Sequence, residues 1–174
     1  MKMCLIALWC AVSAVAIAEP SADSKLSKET ADAVILFKKT DTKIDNLFYS
    51  AAGYAIFPGV TKGAIGIGAA HGKGEVFVGK RQIGTASLTQ VTIGLQLGGQ
   101  EYAEVIFFET NDALKAFTAG KVTMSAQISA VAAAEGKAAN AKYQQGVLVF
   151  TIAKGGLMFE ASVGGQKFKF TPKN

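Results

Sequence analysis

The chain has two cysteines, one histidine and three prolines in 174 residues. Cys4 and Cys10 both fall in a leader that reads as an export signal. Met1-Lys2 is a short positive end, Met3 to Val15 is apolar except for Ser13, and Ala16-Ile17-Ala18 is a small-x-small cleavage pattern before Glu19-Pro20. The run is shorter than the roughly 20 apolar residues of a membrane-spanning helix. Trp9 stands before Cys10, where attachment of a lipid to the cysteine wants a small residue. We therefore expect a signal peptide at 1–18 and one domain at 19–174. The product is expected to be secreted across the inner membrane into the periplasm, soluble or peripheral on a membrane. It would carry no disulfide and no cysteine metal site.

With His71 as the lone histidine, a metal site would have to be built from carboxylates, and Glu101, Glu104 and Glu109 repeat no ligand spacing. No metal and no cofactor is expected. Glu101, Glu104 and Asp112 read as solvated loop or strand-face residues, and His71, between small residues and a glycine, as an exposed turn residue. Ser87 and Ser162 have no base or oxyanion partner visible at sequence level. The expectation is a protein that is not an enzyme. Gly66-Ile67-Gly68-Ala69-Ala70-His71 lacks the third glycine of a dinucleotide fingerprint. Gly68-Ala69-Ala70-His71-Gly72-Lys73-Gly74 has three residues where a phosphate loop needs four, and no Ser or Thr after its lysine. Nucleic acid is not expected either. Tyr54, Phe57 and Phe77 could stack bases, but they fall at strand positions that core packing explains, and an exported protein meets little intracellular nucleic acid.

What the chain does have is apolar content, 50% of its residues, which suffices for the core of one domain. It also has 19 glycines, concentrated between Gly53 and Gln100. Between them the residues alternate or run apolar with β-branched and aromatic types, as in Glu75-Val76-Phe77-Val78 and Val91-Thr92-Ile93. Glycine at that density inside strands marks bulges, bends or close backbone approach, the needs of a strongly curved sheet. Gly66, Gly68, Gly94 and Gly98 are expected at such places. Strands are expected near 63–70, 74–79, 82–88, 91–98, 103–109, 146–152, 156–163 and 167–171, with a tight hairpin at Gly79-Lys80-Arg81-Gln82.

Helices precede and interrupt this sheet. Leu26, Thr30, Ala33, Val34 and Phe37 share one helix face over 25–39, capped by Asp23 or Ser24 and ending on Lys38-Lys39. A second helix over 42–52 buries Ile44, Leu47, Phe48 and Ala51. The first helix is either an interfacial membrane helix or one that closes an open face or end of the barrel. Its neighbourhood from Asp23 to Asp45 balances acids and bases, with Lys38, Lys39 and Lys43 as a local basic cluster. Asn111-Asp112 caps a short helix through Ala119 that Gly120 ends. The alanine-rich segment 123–141 is a helix or a mobile loop. The fold class expected is α+β: a closed or nearly closed antiparallel β-barrel-like sheet with N-terminal helices and peripheral helices.

These motifs carry a family likeness. The order Gly53-Tyr54-Ala55-Ile56-Phe57-Pro58, Lys62-Gly63, Gly66-Ile67-Gly68, Gly72-Lys73-Gly74 and Gln96-Leu97-Gly98-Gly99-Gln100 resembles the SYLF family of lipid-binding domains, in the form found in bacterial exported proteins. The likeness continues through Val105-Ile106-Phe107-Phe108 and Ala116-Phe117 to Lys154-Gly155-Gly156-Leu157-Met158-Phe159. The resemblance implies a β-barrel core with helices around it and a lipid-facing role. Eukaryotic SYLF domains are associated with phosphorylated inositol lipids through a basic, partly amphipathic N-terminal region, and some also engage actin. This chain departs from them where they carry Trp-Ser-x-Pro, since Lys80-Arg81-Gln82-Ile83-Gly84 occupies that hairpin.

Without its leader the chain holds 17 basic and 13 acidic side chains, a net +4. The basic residues gather in 62–81 and from Lys137 onward, which makes either a basic face or an ordinary solvated surface. Taken with the resemblance, this implies a peripheral module contacting anionic phospholipid headgroups or a membrane surface in the cell envelope. The residues that would carry the contact are Lys38, Lys39, Lys43 and Lys62, with Lys80 and Arg81 of the hairpin. The alternative is a non-catalytic structural or protein-interaction module with an envelope protein as partner. Composition does not determine the oligomeric state.

Overall fold

The computed structural model describes residues 21–65, 67–93, 100–120, 128–154 and 165–173. The expected leader at 1–18, Ser162, Gly66, Gly94, Gly98 and the strand expected at 156–163 lie outside the described residues. Two helices, α1 (Ala22–Thr40) and α2 (Thr42–Ser50), lead into four long strands: β1 (Gly53–Ile65), β2 (Ile67–Val78), β3 (Arg81–Ile93) and β4 (Gln100–Phe108). Helix α3 (Asn111–Thr118), the two-residue β5 (Val131–Ala132), a 3-10 turn (Lys137–Asn140), β6 (Val147–Lys154) and β7 (Lys167–Pro172) follow. The alanine-rich segment is therefore not one helix over its described part. Its small side chains bury too little to hold a long helix on the core, and its described residues hold the two-residue β5 and a single 3-10 turn.

The seven strands form one sheet in the order β5-β6-β4-β1-β2-β3-β7, antiparallel except for the parallel β5–β6 pair. Pro58 sits inside the central strand β1. Because it has no N–H to give a ladder, the register shifts against both neighbours there, between Ile56 and Gly59 on β2 and between Phe57 and Val60 on β4. The strand continues past its proline as a bulge, so it starts ten residues earlier than the expected 63. Two glycines within the strands are close-approach sites. A Cβ on Gly74 would strike the Phe57 ring at 2.6 Å and the Ile56 carbonyl, and one on Gly84 would strike the Phe170 ring and the Thr171 carbonyl. The Gly79-Lys80 turn joins β2 to β3 as expected, with Gly79 at φ +57°.

The sheet curls. Phe57 of β1 and Phe168 of β7 lie three strands apart, which would be roughly 14 Å in a flat sheet, yet their ring centroids are 5.8 Å apart. The concave side is filled by Phe57, Val60, Leu88, Ile106 and Phe108, with Leu114 and Phe117 of α3 packed in among them. The outer side carries Tyr54, Ile56, Val105, Phe107 and Phe150, covered by Ala33 and Phe37 of α1 and Ile44 and Phe48 of α2. The N-terminal helices thus lie on the outer face instead of closing an end. Among the described residues no strand pairing joins β7 to β5. The architecture is α+β with a curled, mixed sheet, and a closed antiparallel barrel is not what these residues show.

Candidate functional site

Helix α1 starts where the Ser21 hydroxyl accepts the Ser24 amide at 3.3 Å, ahead of the expected cap at Asp23 or Ser24. It buries Thr30, Ala33 and Phe37 on the sheet. Asp41 caps α2 by accepting the Lys43 amide at 2.7 Å, and its second oxygen accepts the Ala138 amide at 3.2 Å. With their apolar stripes inward, the helices still expose Ile35 (50%), Leu36 (41%) and Tyr49 (69%). Lys39 and Lys43 stand exposed beside them. Lys38 is engaged: its ammonium donates to Asp45 at 2.7 Å and to Tyr49 at 3.0 Å, and lies 4.3 Å from the Tyr49 ring centroid. Burial alone would lower its pKa, but the bonds to Asp45 and Tyr49 outweigh that and hold it above the usual lysine value.

The remaining candidates lie elsewhere. Lys80 and Arg81 are exposed at the β2–β3 turn. Lys62 is 8% exposed and follows Val60 on the concave side of β1. Burial depresses its pKa, and it is withdrawn from any headgroup-facing surface. The six residues are therefore not one site. Below α1, an apolar groove of about 440 Å³ runs between Val34, Ile35, Tyr54 and Phe77 and ends at Glu75 and Gln82. Glu75 is buried and accepts from the Ser27 hydroxyl at 2.7 Å and the Gln82 amide at 2.9 Å.

A second polar constellation was not visible in the sequence. Glu104, expected on a solvated surface, is fully buried on the concave face of β4. Gln166, just before β7 and four strands away across the sheet, donates to its carboxylate at 2.9 Å. Burial pushes the Glu104 carboxyl up to about 7, and the bond from Gln166 offsets part of that rise. Burial, and then the neighbouring Glu104, also raise the Tyr102 phenol above its usual value. Thr151 of β6 pairs directly with Glu104. The other Glu104 oxygen, the Thr151 hydroxyl and the Gln166 carbonyl are buried without a hydrogen-bond partner among the described residues. The signal that could have found this cluster is an acid inside Tyr102-Ala103-Glu104-Val105-Ile106-Phe107-Phe108, a run apolar on both faces and so buried on both. The cluster can take up and release one proton near neutrality.

Tyr54 and Phe57 are core residues as expected, and His71 is exposed, though mid-strand instead of in a turn. Among the described residues no three His, Cys, Asp or Glu side chains gather as a metal site, and no helix is long and apolar enough to cross a membrane. Residues 89–173 match the family model described as Ysc84, the Las17-binding protein actin regulator. Over that segment, just under half of its length, the chain resembles the Ysc84, or SYLF, family. Beta cell expansion factor A of Aeromonas veronii is 29% identical over 124 residues, covering 70% of this chain and 47% of that protein. The match thus spans about half the length of that relative. The matched SYLF segment holds β4, α3, β6 and β7, and with them Glu104 and Gln166, while α1 and α2 precede it.

Proposed function

We propose that this chain is a peripheral, non-catalytic module that docks on anionic phospholipid headgroups in the cell envelope, which it reaches by export through a leader at 1–18. The observation that carries the reading is the outward side of the α1–α2 pair. Exposed Ile35, Leu36 and Tyr49 sit beside Lys39 and Lys43 there, the mixture of apolar and cationic groups that settles at a headgroup boundary. Core packing does not account for that exposure, because the buried sides of both helices are already occupied.

Co-sedimentation with phosphatidylcholine vesicles, with and without phosphatidylglycerol, tests the reading. Binding should require the anionic lipid and weaken as salt rises. A second reading, a module for an envelope protein partner, draws on the family description, which names binding to a protein. Failure to bind vesicles of either composition, with a partner recovered from envelope extracts, would favour that second reading.

A further inference from the structure

Among the described residues, the outer face of the sheet has a covered part and a bare one. Where β2, β3 and β7 pass under the start of α1, the rung Glu75–Thr85–Thr171 borders a groove lined by Asp23, Ser24 and Ser27. Away from α1, the register aligns Lys73, Ser87 and Lys169 in one rung and His71, Thr89 and Lys167 in the next. Strand alternation turns all six to the outside, since Gly72, Gly74, Ala86, Leu88, Gln90 and Phe168 between them are buried. His71, Lys73, Thr89, Lys167 and Lys169 are exposed, and Ser87 is half-buried. Each rung therefore places a hydroxyl between two nitrogen-bearing side chains. Neighbouring strands are about 4.8 Å apart and alternate residues on one strand about 7 Å apart, so the patch is roughly 10 by 7 Å at the backbone, within reach of long lysine stems.

Among the described residues, Lys73, Lys167 and Lys169 form no ion pair. The described acids bordering the patch do not neutralise it. Glu75 is buried and held by Ser27 and Gln82, Glu101 across β1 is held by Lys154 at 3.1 Å, and Asp23 lies on the groove wall beyond the Glu75 rung. The rung after His71–Thr89 carries Val91, which is 69% exposed. Three unpaired ammonium groups, two hydroxyl donors and an exposed apolar neighbour complement a phosphate-bearing interface. The patch lies on the same side of the sheet as α1 and α2, whose exposed Ile35 and Leu36 fit the same bilayer surface better than they fit a soluble polyanion.

We infer that the two rungs around Ser87 and Thr89 are a phosphate-binding face, and that Lys73, Lys167 and Lys169, more than the helix lysines, set the electrostatic affinity for an anionic phospholipid bilayer. This rests on the membrane-docking reading above. Lys38 is already held by Asp45 and Lys62 is buried, so two exposed lysines, Lys39 and Lys43, are left of the helix and β1 set.

The test titrates the chain with vesicles containing phosphatidylglycerol. Lys73→Gln, Lys167→Gln and Lys169→Gln combined should weaken binding by about a hundredfold, at roughly one kcal/mol per lysine near the surface. Lys39→Gln with Lys43→Gln, on the docking helices, should weaken it too, but less than any two of the sheet lysines replaced together. The three sheet lysines replaced by Arg should retain binding, which a purely structural role for their stems would not require. All variants should melt like the parent, because the changes are on solvent-exposed positions. If the parent binds in a salt-dependent way and the sheet triple variant binds equally well, the face is not the docking surface, although the membrane reading stands. A parent that ignores anionic vesicles removes both.

Discussion

Replacing Glu104 by Gln tests the buried cluster on β4. In the unfolded chain a glutamate titrates near about 4.3, whereas burial pushes Glu104 in the fold up to about 7. The raised value means that the folded state holds its proton longer than the unfolded state does. Stability from this group is therefore fully present below about pH 4.3, declines as pH rises, and is lost above about pH 7. A difference of two to three pH units corresponds to about 3 kcal/mol, an upper range for one buried acid. Glutamine keeps the shape and the acceptor for Gln166 but cannot ionise, and its amide can donate to the nearby Thr151 or Gln166 oxygens that have no partner among the described residues. Urea unfolding of parent and Glu104→Gln should thus give similar free energies near pH 4.5. At pH 8 the variant should be the more stable by about 3 kcal/mol. Subtracting one curve from the other removes the titration of all other groups. A variant that is less stable at every pH by a constant amount would show that Glu104 is ionised and well compensated, and would refute the reasoning.

Two further outcomes concern the scaffold. Gly74→Val should cost about 3 kcal/mol or prevent folding, because its side chain would meet the Phe57 ring and the Ile56 carbonyl; thermal melts check this, with Gly63→Val, which meets nothing within 4 Å, as the milder comparison. Asp41→Ala should cost about 1–2 kcal/mol, since it removes both the α2 cap and the bond to the Ala138 amide, and Asn at that position should recover part of the loss in chemical denaturation.

The helices were legible because spacings of three and four mark one face whatever that face packs on. Thr30, Ala33, Phe37, Ile44 and Phe48 are buried as the periodicity required. Strand boundaries were less legible, for two physical reasons. Pro58 looks like a border, yet a bulge carries β1 through it. Gly72 and Gly74 look like breaks, yet they are strand positions that Val60 and Phe57 pack against. Alternation says which residues share a face but not which face is inside a curled sheet, so Glu104 and Lys62 were read as solvated when both point inward. The rungs of Lys73, Lys167 and Lys169 depend on pairing β2 with β3 and β3 with β7, a register set by contacts distant in sequence.

The most direct test of membrane docking uses the chain's lack of a natural reporter. Its one tryptophan, Trp9, lies in the segment 1–18 expected to be a leader, so residues 19–174 with Ile35→Trp carry a single indole, on the exposed side of α1. On adding phosphatidylglycerol vesicles its emission should shift to the blue and become quenchable by bromine-labelled acyl chains, and raised salt should reverse both effects. Unchanged emission and no quenching at lipid concentrations that saturate any binding seen by co-sedimentation would contradict insertion of the helix pair; if the chain also failed to co-sediment, the membrane role itself would fall.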